Sequence, residues 1–128
     1  MKKDMDLIRK ILLKIEEEYV DVALYNISIE GYDSKTIAYH SKILNDADLI
    51  SDYGAQFADG ELWSFGVGSL TWEGHEFLDK IRNDSIWDTT KTTIINNGLP
   101  MIVDVVKNVS TSIITSMTEG AIRALYKG

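Results

Sequence analysis

The chain contains no cysteine, one proline and two histidines among its 128 residues. Without cysteine it has no disulfide and no thiolate metal site, and a reducing cytoplasm is the default setting. Long apolar runs are missing too. The opening, MKKDMDLIRKILLKIEEE, follows Lys2 and Lys3 with charges every few positions, so no signal-peptide core is present. The longest weakly charged stretch, Val109 to Thr118, is broken by serines and threonines and falls far short of the ~20 apolar residues of a membrane span. Positive charge is scarce: 13 Lys and Arg against 20 Asp and Glu give a net charge of −7. Neutralisation of phosphates by Lys and Arg supplies most nonspecific affinity for DNA, so the global balance argues against nucleic acid. Screening confines charge effects to roughly 8 Å at physiological salt, so a local cluster still counts. Lys2, Lys3, Arg9, Lys10 and Lys14 lie close together near the start.

What is present is enough for one domain with a core and a C-terminal appendage. Met5, Ile8, Ile11, Leu12, Ile15 and Tyr19 recur at three and four, the stripe of an amphipathic helix from Asp4 to Tyr19. Val20 to Asp33 is rich in β-branched and aromatic residues, and the alternation of Ile27 and Ile29 predicts a short strand before Gly31. Asp33 or Ser34 then caps a second helix, with Ile37, Leu44 and Ala47 on its buried face and Leu49 and Ile50 entering a strand. An Asp59-Gly60 pair between β-leaning segments predicts a hairpin. Thr71 caps a helix with Trp72, Phe77, Leu78 and Ile81 as apolar members, Trp72 being expected against Ile8 and Leu44. A further helix over Ile86 to Ile95 stops at Asn96-Asn97-Gly98, and Pro100 is suited to a helix N-terminus. The last helix has a poor intrinsic propensity in its middle, NVSTSIITSMT, so packing must hold it.

No constellation of catalytic groups emerges. His75-Glu76 lacks a nucleophile or a third metal ligand at suitable spacing, and Gly66-Val67-Gly68 lacks the context of a dinucleotide fingerprint. His40 and His75 therefore read as structural or as partner contacts. No cofactor, metal or small-molecule substrate is expected, and enzyme is the least favoured class. Lys35, Tyr39 and Lys42 share the exposed face of the central helix, a geometry suited to phosphate, base edge or protein surface. Asp33, Asp46 and Asp48 bracket that helix and would repel phosphates. Trp63 and Phe65 alternate with Leu62 and Ser64 along the hairpin, and the aromatic pair is expected to be core.

Ala47-Asp48-Leu49-Ile50 resembles the Ala-Gly-Leu-Ile with which winged-helix proteins end their third helix. Laid over such a helix, Ala38, Tyr39 and Lys42 stand where DNA is faced, and no second helix is visible before it. The blocks MKKDMDLIRKILLKIEEE, ISIEGYDSKTIAYHSKILNDADLI and LTWEGHEFLDKIRNDSIW are similar to the bacterial and phage family known as domain of unknown function 2513. The resemblance implies a winged-helix-like fold, frequent residence in prophages of low-GC Gram-positive bacteria, a bacterial host cytoplasm and no established activity. Ser41 departs from an apolar residue and Asp48 from the usual glycine; Asp tolerates a left-handed backbone, so the turn is expected to survive.

The expectation is thus an α+β chain: a winged helix-turn-helix-like domain over residues 1–84 with a hairpin wing, and a helical segment over 85–128. The expected function is a non-enzymatic phage or prophage regulator that binds DNA through Lys35, Ala38, Tyr39 and Lys42, with Arg9 and Lys10, and through the wing at Asp59, Gly60 and Trp63. The alternative is a module that binds a host or phage protein without DNA. Ile102, Val106, Val109, Ile113 and Met117 form a stripe expected to make a homodimer. The competing account folds that helix back on Ile86, Trp87, Ile94 and Ile95.

Overall fold

A computed structural model describes residues 1–127 as a mixed α+β chain in two compact units, Met1–Leu78 and the part from Asp79 onward. The first helix, α1 (Met5–Glu18), starts where Asp4 accepts a hydrogen bond from the Leu7 amide at 3.2 Å. Its buried residues are Met5, Leu7, Ile8, Ile11, Leu12 and Ile15, spaced at three and four as the sequence requires. α2 (Ser34–Asp46) packs on α1 and buries Ile37, Ala38, His40, Ser41 and Leu44. Each fully buried Leu or Ile there contributes roughly 1.5–3 kcal/mol.

Between these helices the short strand expected within Val20 to Asp33 is β1, Leu24–Tyr25, ahead of the Ile27 and Ile29 alternation. Asn26 ends it, because its backbone is left-handed (φ 51°) while its side-chain oxygen accepts from the Phe65 amide at 3.0 Å. Ile27 and Ile29 keep their alternating burial outside the strand, and a turn closed by the Tyr32 amide on the Ile29 carbonyl leads to α2 without an intervening helix.

α2 stops as expected. Asp48 is left-handed (φ 61°), its amide donates to the Asn45 carbonyl and the Leu49 amide to the Leu44 carbonyl, the paired bonds of a Schellman stop with aspartate in place of glycine. Ala47 is the cap residue and is exposed, not core. β2 (Tyr53–Ala58) and β3 (Glu61–Val67) form the hairpin, and the antiparallel sheet runs β1-β3-β2. Positive φ at both Asp59 (52°) and Gly60 (79°) makes the two-residue turn that matches strand twist.

α3 (Trp72–Ile81) is capped by Thr71, whose Oγ1 accepts from the Gly74 amide at 3.0 Å and donates to the Asp48 carbonyl at 2.6 Å. Phe77, Leu78 and Ile81 are buried, but Trp72 is 74% exposed and is not the core residue expected against Ile8 and Leu44. The phase of the helix explains this. Gly74 faces inward so closely that a Cβ would stand 2.0 Å from the Leu49 carbonyl oxygen. Trp72, five residues ahead of Phe77, is rotated about 140° from that face.

In the second unit, Asn83 caps α4 (Asp84–Asn96) by accepting from the Ile86 amide, and Gly98 (φ 64°) ends it. Pro100 lies outside the next helix, α5 (Val103–Lys127). α4 and α5 pack together, and Trp87, Thr90 and Ile94 on one and Val106 and Ser110 on the other are buried. Ile95 is exposed, so the helix does not fold back on it. Among the described residues no helix is long and apolar enough to cross a membrane.

Gly74→Ala is expected to lose about 1–3 kcal/mol in urea unfolding, since backbone must move to admit the methyl, whereas Trp72→Ala is expected to stay within about 0.5 kcal/mol of wild type. His40→Ala is expected to lose about 1–3 kcal/mol by orphaning the Asp4 amide that donates to Nε2 at 2.8 Å. The same unfolding measurement checks it.

Candidate functional site

The exposed ridge of α2 is Lys35, Tyr39, Lys42 and Asp46, one residue per turn. Three features hold it outward. Asp33 fixes the start of the helix by accepting from the Thr36 amide at 2.8 Å. His40, fully buried on the opposite side, anchors the middle to α1. Tyr39 leans on the edge of the His40 ring, centroids 5.7 Å apart, and is only half exposed.

β2 and β3 run beside this ridge and leave a groove of about 250 Å³ between hairpin and helix. Its walls are Ala38 and Tyr39 from α2 and Tyr53, Phe57 and Leu62 from the hairpin, with Met1 at one side and Lys35 and Lys42 on the rim. Burial raises the Tyr53 hydroxyl pKa above its usual value. Phe57 is 67% exposed, large for an aromatic ring with no core to enter. Both rim lysines already have anionic neighbours. Lys35 Nζ is 2.9 Å from Glu61 Oε2 across the groove mouth, and Lys42 Nζ is 3.8 Å from Asp46 Oδ2 along the helix.

The structure therefore brings Lys35, Ala38, Tyr39 and Lys42 to one place, with one correction. Ala38 is buried, being at the edge of the arc that packs on the core, and serves as groove wall rather than as an exposed reader. Lys10 is elsewhere: it sits over the Tyr32 ring at 5.5 Å and lines a separate hollow with Lys14, Glu17 and Glu30. Arg9 is half buried on α1 and does not line the groove. Asp59 and Gly60 form the exposed hairpin tip.

Trp63 corrects the expectation that the aromatic pair is core. Phe65 is buried, but Trp63 is 73% exposed. Gln56 pairs with Ser64 and the next residue, Phe57, pairs with Leu62, so Trp63 is the extra residue of a β-bulge. One extra residue breaks the period of two and separates the two rings.

Among the expected dimer residues, Val106 is fully buried where α5 packs with α4, so it is not open to a second chain; Val109 and Ile113 are half buried, and Ile102 and Met117 are exposed. Sequence reasoning missed Tyr53, Phe57 and Leu62 as groove walls. The signal was there in the alternation Tyr53, Ala55, Phe57, whose last member runs past the end of the core.

A family model described as "Hypothetical protein (DUF2513)" matches residues 2–100. The chain is similar, at 42% identity over 118 residues, to a protein of Haemophilus influenzae strain Rd described as "Uncharacterized protein", the match covering 91% of this chain and 98% of the relative. No solved structure matches it.

The hydrogen bonds from Thr36, helped by the charge of Lys35, hold the Asp33 carboxyl below the usual carboxylate range. A folded-state pKa that is depressed means that the ionised cap favours folding above the unfolded carboxylate range, and that this contribution is lost as pH falls through the folded-state value. Asp33→Ser keeps a capping oxygen without the charge. It is expected to flatten the acid limb of the stability curve, read as urea midpoints from neutral pH down through the carboxylate range.

Proposed function

From the premise that the chain belongs to the DUF2513 family, we propose that it is a non-enzymatic regulatory protein of the phage or prophage type, a winged helix that recognises a protein segment in the groove between α2 and the hairpin. The carrying observation is the chemistry of that groove: an apolar floor of Ala38, Tyr53, Phe57 and Leu62 under a rim of two lysines whose charges are already matched. Phosphate binding needs cations free to displace counterions, and a chain of net charge −7 gives no long-range attraction to make up for their loss. Exposed aromatic surface with few free charges is what the centre of a protein interface requires. The winged-helix reading is supported by the order helix, strand, helix, hairpin, with α2 in the position of a reading helix and only a turn where the second helix would be.

DNA is the second reading, and one observation favours it. Met1 lines the groove with Lys35 and Lys42, and the exposed Lys2 and Lys3 follow it directly in the chain.

Two measurements separate the readings. Nuclease-treated affinity capture from a bacterial host is expected to retain a protein with wild type and lose it with Phe57→Glu, the fold being checked by circular dichroism. Electrophoretic mobility of host DNA across a salt series is expected to show no shift, even at low salt where phosphate contacts are strongest. A low-salt shift abolished by Lys35→Glu with Lys42→Glu would replace the protein reading with DNA.

A further inference from the structure

The face of α5 that packs with α4 does not end where α4 ends. At about 100° per residue, the line through Val106 and Ser110 continues through Ile114, Met117, Ala121, Ala124 and Leu125. α4 has 13 residues and α5 has 25, so α4 spans about 20 Å against about 37 Å for its partner. The distal part is left uncovered: Met117 is 57% exposed and Leu125 79%. The opposite face carries Ser112, Glu119 and Arg123, as a solvated face does. An uncovered helix of this length is marginal in water, more so with the serines and threonines of its centre.

We infer that the distal half of α5 pairs antiparallel with the same segment of a second copy, with Ala121 at the two-fold axis. Three observations select a second copy. The uncovered stripe continues an apolar seam already in use between α4 and α5. The stripe itself has no charged residue, and the segment from Val105 to Lys127 carries Lys107, Arg123 and Lys127 against Glu119 alone, so two copies meet here without the repulsion that a net charge of −7 imposes elsewhere. The stripe is also self-complementary. A two-fold axis at Ala121 sets Met117 opposite the partner's Leu125, so bulk meets bulk on both sides of a small centre that lets the helices approach, as an isologous interface requires.

The absence of cysteine makes the register directly readable, because each introduced thiol is unique. Sedimentation equilibrium of the full chain at tens of micromolar is expected to give twice the chain mass, and Met117→Glu with Leu125→Glu is expected to give the single mass. Under mild diamide oxidation, Ala121→Cys is expected to form a covalent dimer. A mixture of Met117→Cys and Leu125→Cys is expected to form the mixed disulfide in preference to either disulfide-linked homodimer, and Glu119→Cys on the outer face is expected to form no covalent dimer. A monomeric wild type overturns the inference. So does cross-linking of Glu119→Cys as fast as Ala121→Cys, which would mark random collision, or preferential self-pairing of Met117→Cys, which would mark a parallel pair.

Discussion

The first unit depends on one meeting point, the start of α1 against the buried side of α2. Asp4 uses every polar group it has: Oδ1 accepts from the Leu7 amide, Oδ2 accepts from the Tyr32 hydroxyl at 3.0 Å, its carbonyl accepts from the Ile8 amide, and its own amide donates to His40 Nε2. An amide has only a hydrogen to offer, so Nε2 must be the bare nitrogen. The proton is then on Nδ1, which donates to the Thr36 carbonyl at 2.8 Å. A fully buried imidazole is thereby neutral and satisfied at both ends. Burial first, then the bond and charge of Asp4, push the Tyr32 hydroxyl pKa upward, which keeps that donor protonated. These bonds span three separate stretches of chain and set the rotation of α2, so they also decide that Lys35, Tyr39 and Lys42 face out.

The charges around the groove make sense as neutralisation rather than as stabilisation. Exposed pairs such as Lys35 with Glu61 contribute little, about 0–1 kcal/mol. For the proposed recognition their effect is larger, because each weakens the positive field that a ligand approaching the groove would meet. What the groove itself offers is shape and apolar area: the bulge at Trp63 changes the parity of β3, leaves Leu62 opposite Phe57, and so lines the groove with aliphatic and aromatic surface.

Elements governed by local rules were legible in the sequence. The stripe of α1, the Asp59-Gly60 turn, the Thr71 cap and the aspartate at the end of α2 each follow from neighbours within a few residues. Features governed by distant contacts were not. Trp72 looked like core because tryptophan is apolar, yet the phase of α3 is set by glycine meeting the Leu49 carbonyl, and a glycine contributes nothing to a count of apolar residues. Trp63 followed an alternation that a bulge interrupts. Ala38 stood beside exposed positions, but the buried arc of α2 is wide enough to include it because His40 and Ser41 are core residues despite their polarity. The groove walls escaped notice because alternation shows which face of a strand a side chain takes, and the reach of the core along that strand is a tertiary fact.

Polarity inside the seams has a common solution. Ser41, Thr90 and Ser110 are all buried, and each hydroxyl donates to the carbonyl four residues back, at 2.8, 2.7 and 2.6 Å. Each is satisfied by its own helix and asks nothing of the facing one, and among the described residues no buried side-chain polar atom lacks a partner. Such hydroxyls are small and directionless toward the neighbour, so they allow close approach without specifying it. Specificity then falls to the large residues beside them: Ile37 and Leu44 around Ser41, Trp87 and Ile94 around Thr90, and Val106 before Ser110. The low helix propensity of the Ser- and Thr-rich centre of α5 follows from the same choice. A residue that satisfies itself on the backbone adds little to a helix in water, so α5 depends on what packs against its apolar side.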